Sequence, residues 1–287
     1  MNKTIIAWTK VTWNPVHGCS RVSEGCRHCY AEALSLRYGW TKLPWTAQNA
    51  EANVREVPAK LREPYSLKEP SRIFVNSMSD LFHPLISPAY RDRVFAVMAD
   101  LPQHTFQVLT KRPELAAQWH GPWPKNIWLG ASIESARHLD RLDHLRQSGA
   151  QVRFVSAEPL ISAWGAADLT GIDWVIVGGE SGPEHRPMPH TWAREIRDMC
   201  LAQDVAFFFK QSAAYRTEMG TTLQNTDGTF WTWQQWPDQR AEPVPGESHK
   251  FTCESIKAVS LPVQATAPLQ ATSQPAATPP PAQPSLF

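Results

Sequence analysis

The chain has 287 residues, 28 Lys and Arg against 27 Asp and Glu, and a formal net charge of +1. That length suits one α/β barrel or two average domains, and near-neutral charge removes the usual electrostatic case for coating nucleic acid, although a local basic groove stays open. No run reaches the roughly 18 apolar residues a membrane-crossing helix needs, and Met1 to Lys10 lacks a signal peptide's layout, so a cytoplasmic protein with no membrane partner is expected.

In chain order, a first strand is expected around Ile5 to Trp13, then a cysteine-bearing loop and a helix over Tyr30 to Tyr38. Apolar runs rich in β-branched and aromatic residues follow at 72–76, 105–109, 126–130, 152–155, 174–177 and 205–209. Continuous apolar runs without strict alternation mark strands buried on both faces. Between them, Pro88 to Leu101, Glu134 to Gln147 and Thr191 to Gln203 carry helical spacing. Strand and helix in alternation predict an α/β fold with a parallel sheet, a partial or complete (β/α) barrel of about six to seven strands within residues 1–257. Thr221 to Glu254, with an Asp227-Gly228 turn, reads as a small hairpin lid or a partner surface. Ala258 to Phe287 has seven Pro and no charged side chain, so it cannot repay its ordering entropy by burial and is expected to be a disordered tail.

Each strand after the first ends in small and charged residues: Ser77 and Asp80, Lys111 and Arg112, Ser132 and Glu134, Glu158, Glu180, and Lys210. Ligands of barrels and open α/β sheets bind at that carboxyl edge because the strand-to-helix loops converge there. Charges also begin wherever strands reach the surface. Six such ends in succession, mixed in sign, favour a polar pocket.

Five cysteines make a disulfide framework a poor explanation, and three of them, Cys19, Cys26 and Cys29, lie within one short loop. At C-x6-C-x2-C they can hold three irons of a four-iron cubane and leave the fourth iron open to a small molecule. Gly18 and Gly25 permit the turns, and Arg21, Arg27 and the helix start after Cys29 favour anionic sulfur. A structural zinc site with His17 or His28 as fourth ligand is the main alternative. A redox pair of Cys26 and Cys29 is a further one. Cys200 reads as core and Cys253 as a bystander near the tail.

The three cysteines followed by Tyr30-Ala31, on the first strand-to-helix loop of a repeating β/α chain, resemble the radical S-adenosylmethionine enzymes. That superfamily usually has C-x3-C-x2-C, so the first interval is longer here. From Trp8 to about Ser212 the chain more closely resembles the phage Gp37/Gp68 family, which carries domain of unknown function 5131. The shared phrases are Thr12-Trp13-Asn14-Pro15, Gly18-Cys19 through Tyr30-Ala31, Trp128-Leu129-Gly130, Ala157-Glu158-Pro159-Leu160, Val177 through Gly182 and Phe208 through Gln211.

The resemblance implies a [4Fe–4S] cluster on Cys19, Cys26 and Cys29, with S-adenosyl-L-methionine at the open iron. It also implies an electron from a reducing protein such as flavodoxin or ferredoxin, and an adenosyl radical acting on substrate. The Gly-Gly-Glu-like element often found after the second strand stands here after the sixth, at Gly178-Gly179-Glu180. By position Ser77, Asp80, Ser132 and Glu134 are expected at the cofactor. Lys111, Arg112, Glu158, Glu180 and Lys210 then remain for substrate binding or proton transfer, or for salt bridges under the loops. Tryptophans on the rim, among them Trp40, Trp45, Trp119, Trp123 and Trp164, serve either base stacking or loop packing. The substrate is left open, a nucleotide or nucleic acid being one class. Two other functions compete: a zinc-stabilised nucleic-acid-binding module without catalysis, and a metal-dependent hydrolase using His83, His185 and His190.

Overall fold

Seven apolar runs become seven parallel strands: β1 Val11–Trp13, β2 Arg72–Val75, β3 Thr105–Thr110, β4 Ile127–Ser132, β5 Val152–Ala157, β6 Trp174–Gly178 and β7 Ala206–Gln211. They pair in chain order in a sheet curled into a half-barrel. The computed structural model describes residues 1–247. The expected tail, Cys253 and the last residues of the 221–254 segment lie outside them. Every residue of β4, β6 and β7 is buried, which is why these strands carry no polar alternation.

Alternate side chains sort to two faces. Trp13, Ile73, Val75, Phe106, Leu129, Val175 and Phe207 pack outward under the helices. Phe74, Trp128, Phe154, Trp174, Ile176 and Phe208 point into the concave side and pack there with Trp8. Trp8 sits 4.6 Å from the Phe74 ring and 6.2 Å from Trp174. The expected strand over Ile5 to Trp13 is therefore shorter than its apolar run, because Ile6 to Lys10 turns inward to seat Trp8 as a plug.

The helices are α1 Tyr30–Arg37, α2 Pro88–Ala99, α3 Pro113–Ala117, α4 Arg141–Gln147 and α5 His190–Ala202. At the start of α2, Ser87 Oγ accepts from the Tyr90 N–H at 3.2 Å and Pro88 takes the first turn. The helix expected over Glu134 to Gln147 is broken: Ala136–His138 forms a 3-10 turn and only Arg141–Gln147 is α-helical. Its first residues are drawn toward the cysteine loop, since the Ser135 hydroxyl donates to Glu24 at 2.8 Å.

Both sheet edges are covered. Asn2–Lys3 pairs antiparallel with β1. Along β7 the Phe209 N–H donates to Trp233 O at 2.8 Å, and the Gln235 N–H donates to Phe207 O at 3.1 Å. The 221–247 stretch forms a small antiparallel sheet of Leu223–Gln224, Phe230–Thr232 and Val244–Pro245, and its 233–235 segment seals the β7 edge. No helix among the described residues is long and apolar enough to cross a membrane.

Candidate functional site

All seven parallel strands deliver their carboxyl ends to one edge, where the cysteine loop leaves β1. Asn14 anchors the neighbouring loop, its Oδ1 accepting from the Met78 N–H at 2.9 Å and its amide donating to Ser77 Oγ at 3.2 Å. The Ser79 hydroxyl donates to Val16 O at 2.7 Å. Gly18 then takes φ +76°, and a Cβ there would stand 2.2 Å from Asn53 O, so only glycine fits the turn. A 3-10 turn over Glu24–Cys26 follows, and Cys29 caps α1.

Cys26 is buried, while Cys19 and Cys29 are half-buried. Cys29 lies within electrostatic reach of both Cys19 and Cys26. Burial, reinforced by the Asp80 charge, pushes the Cys19 thiol up to about 12 and outweighs the opposing Arg112 charge. Burial also pushes the Cys29 thiol up, against backbone N–H groups that favour its thiolate. Burial therefore favours the neutral thiol at both positions.

The protein does gather cations here. Arg112 donates to Cys19 Sγ at 3.6 Å and to Ser20 O at 2.9 Å, and Asp80 Oδ2 pins it at 2.9 Å. Asp80 also accepts from Thr110 Oγ1 at 2.7 Å and from the Phe82 N–H at 2.9 Å, so both its oxygens are committed to protein donors. Lys111 pairs with Glu134 and contributes positive charge near Cys26. Glu134 is fully buried and accepts also from the Ser23 hydroxyl at 2.8 Å and Arg141 at 2.9 Å. Burial alone would raise its carboxyl, but Lys111 and Arg141 hold it below the ordinary value. Gly25 lets this happen: a Cβ there would fall 2.5 Å from Glu134 Cγ.

A second clamp holds the other side of the loop. Glu180 Oε2 meets His28 Nδ1 at 3.1 Å and Arg186 Nε at 3.0 Å, and Arg186 donates onward to Glu24 O at 3.1 Å. On the inner rim Lys210, 7% exposed, pairs with Glu158 at 2.5 Å and faces Glu218 at 3.9 Å. Burial pushes the Glu218 carboxyl up. Ser132 and Ser156 sit side by side in the β4–β5 register, and Tyr30 donates to Ser77 O at 2.8 Å.

Residues 3–242 match the family described as "Protein of unknown function (DUF5131)". The chain belongs to this family. No curated protein and no solved structure matches it.

In this DUF5131 chain the sequence-predicted residues divide into groups. Asp80, Lys111, Arg112 and Glu134 converge beneath the cysteine loop. Glu180 lies at its flank, and Glu158 with Lys210 stands on the inner rim. Ser23, Arg141, Arg186 and Glu218 complete these groups and were not singled out by sequence. Arg141 alone had a local signal, being seven residues beyond Glu134 and near a helix start. Among the described residues, no group of three or more His, Cys, Asp and Glu side chains converges tightly enough to hold one metal ion. The expected fourth zinc ligands are turned elsewhere: His28 toward Glu180 and Glu184, the latter at 3.6 Å, and His17 toward Arg55 at 3.4 Å. His83 bonds Ser20 Oγ, His185 bonds Gly182 O and His190 bonds Ser212 Oγ, so the three histidines considered for a hydrolase serve separate contacts.

Proposed function

We propose that this protein is an iron–sulfur enzyme of the radical S-adenosylmethionine type. The reading is carried by one observation: three free thiols stand on the first strand-to-helix loop at the carboxyl mouth of a parallel half-barrel, with Arg112 donating to one of them and Lys111 close by. The donor chemistry fits the group. Thiolates around one zinc stand about 3.8 Å apart at Zn–S distances near 2.3 Å, whereas a cubane takes each thiolate at a separate corner and so spreads them. A cubane with one open iron takes three thiolates and no fourth side chain, which matches Cys19, Cys26 and Cys29 with His28 bonded to Glu180 and His17 to Arg55.

Cys19, Cys26 and Cys29 would hold the cluster. With S-adenosyl-L-methionine it would supply one-electron cleavage to an adenosyl radical, the electron coming from a reducing protein such as a flavodoxin or ferredoxin. The chain's own residues do the rest. Arg112, fixed by Asp80, and Lys111, fixed by Glu134, stabilise negative charge on sulfur. The Glu180–Arg186–His28 clamp holds the loop between Cys26 and Cys29. Ser77 and Ser132, at the ends of β2 and β4, border the mouth where the cofactor's head group is expected. Lys210 and Glu158 face the barrel interior and are suited to orient a polar substrate or exchange a proton with it.

The test is reductive cleavage of S-adenosylmethionine. Anaerobic protein given dithionite produces 5′-deoxyadenosine, and Cys26→Ala produces none. Iron-loaded wild-type protein that forms no 5′-deoxyadenosine would refute the reading.

A further inference from the structure

Most of the rim tryptophans turn inward: Trp45 and Trp164 are each 3% exposed, and Trp119 stacks on Phe95 at 3.7 Å. Trp40 does not. It is 40% exposed, and its ring lies 5.3 Å from Tyr38, itself 59% exposed, with 30° between planes. The His17 ring lies 6.1 Å from Trp40 and is tilted 34° to it. The three rings form one aromatic cluster, with Tyr38 and Trp40 stacked on each other. Backbone bonds fix it, since the Trp40 N–H donates to Ser35 O at 2.8 Å.

Cations stand beside the rings. The Arg37 guanidinium lies 5.8 Å from the Tyr38 centroid, Arg55 approaches His17 Nδ1 at 3.4 Å, and both arginines are exposed. Lys42 is exposed two residues beyond Trp40, Glu51 is exposed on the short helix Ala50–Asn53, and Lys60 and Glu63 also act on His17. An apolar protein partner would call for rings without charges beside them. A ring cluster edged by guanidinium and ammonium groups matches a chain of bases joined by phosphates, each base offering a π-face and each phosphate an anion. The cluster also borders the candidate site: His17 is two residues before Cys19, and Tyr38 ends the helix that starts after Cys29.

We propose that Tyr38, Trp40 and His17, with Arg37 and Arg55, form a platform for single-stranded nucleic acid that presents the strand at the cysteine loop. This names the substrate class of the reading above and rests on it for the ensuing chemistry; binding itself needs no cluster. The experiment is fluorescence anisotropy of a labelled oligothymidylate with the full chain at low and raised salt. Wild type binds, affinity falls as salt rises, and a duplex competes poorly. Tyr38→Ala and Trp40→Ala each weaken binding by about five-fold to a hundred-fold, the range for losing one stacked base. Trp40→Phe keeps a π-face and retains binding. Binding and 5′-deoxyadenosine formation are read separately on wild type, so a failed cluster and a failed platform are told apart. The proposal is overturned if wild type does not bind the oligonucleotide, if duplex binds equally well, if both alanine variants bind normally, or if Trp40→Phe loses as much as Trp40→Ala.

Discussion

Glu134→Gln is the sharpest probe of the scaffold beneath the cysteine loop. Glu134 has no solvent exposure, its partners Lys111 and Arg141 have side-chain exposures of 22% and 8%, and Ser23 completes the set. The amide keeps the shape and removes the charge, leaving two cations without their shared anion. Breaking a buried pair costs about 3–5 kcal/mol; because Lys111 retains some water, the low end, about 3 kcal/mol, applies here. For a domain of this size that corresponds to a fall in Tm of about 6–12 °C. The carboxyl is held below its ordinary value of 4.5, so its stabilisation is complete above that value and is lost as pH falls through the lower folded value. Circular dichroism melts of wild type and variant should therefore differ constantly from about pH 7 to about pH 5.5 and converge only below about pH 4.5. A variant that melts within about 2 °C of wild type at neutral pH contradicts the buried network.

Other outcomes follow from the same geometry. Gly25→Ala drives a methyl into Glu134 and is expected to cost about 1–3 kcal/mol by urea unfolding, with reduced metal content in anaerobic protein. Gly18→Ala meets both a positive φ and the Asn53 carbonyl, so it should destabilise by more than Gly39→Ala, where φ is +67° but nothing stands within 4 Å. Arg186→Ala removes the main donor to Glu180 and the tie to Glu24 O; hydrogen exchange in 17–29 should accelerate while the β4 to β6 core is unchanged.

Much of the fold was legible because burial on both faces writes itself as continuous apolar runs: β4, β6 and β7 lie within a residue or two of theirs. Ile5 to Trp13 misled because the same apolar letters serve a strand and a plug, and only the curled half-barrel shows that Trp8 fills its concave side. The 134–147 segment misled because Glu134 and Ser135 answer to the cysteine loop rather than to helix periodicity. The charged strand ends were visible as a set. Their partners were not, since Ser23 meets Glu134 across 111 positions and His28 meets Glu180 across 152. No local pattern encodes such distances. For the same reason the sequence could not divide the carboxylates into those committed to cations under the loop, Asp80 and Glu134, and those on the inner rim, Glu158 and Glu218.

Iron, acid-labile sulfide and zinc, measured together on anaerobically prepared full-length protein, test the central claim most directly. The trio of thiols should yield a brown protein with about four iron and four sulfide per chain, lost in Cys26→Ala. A colourless protein carrying one zinc per chain, or metal content indifferent to replacing all three cysteines, would contradict it.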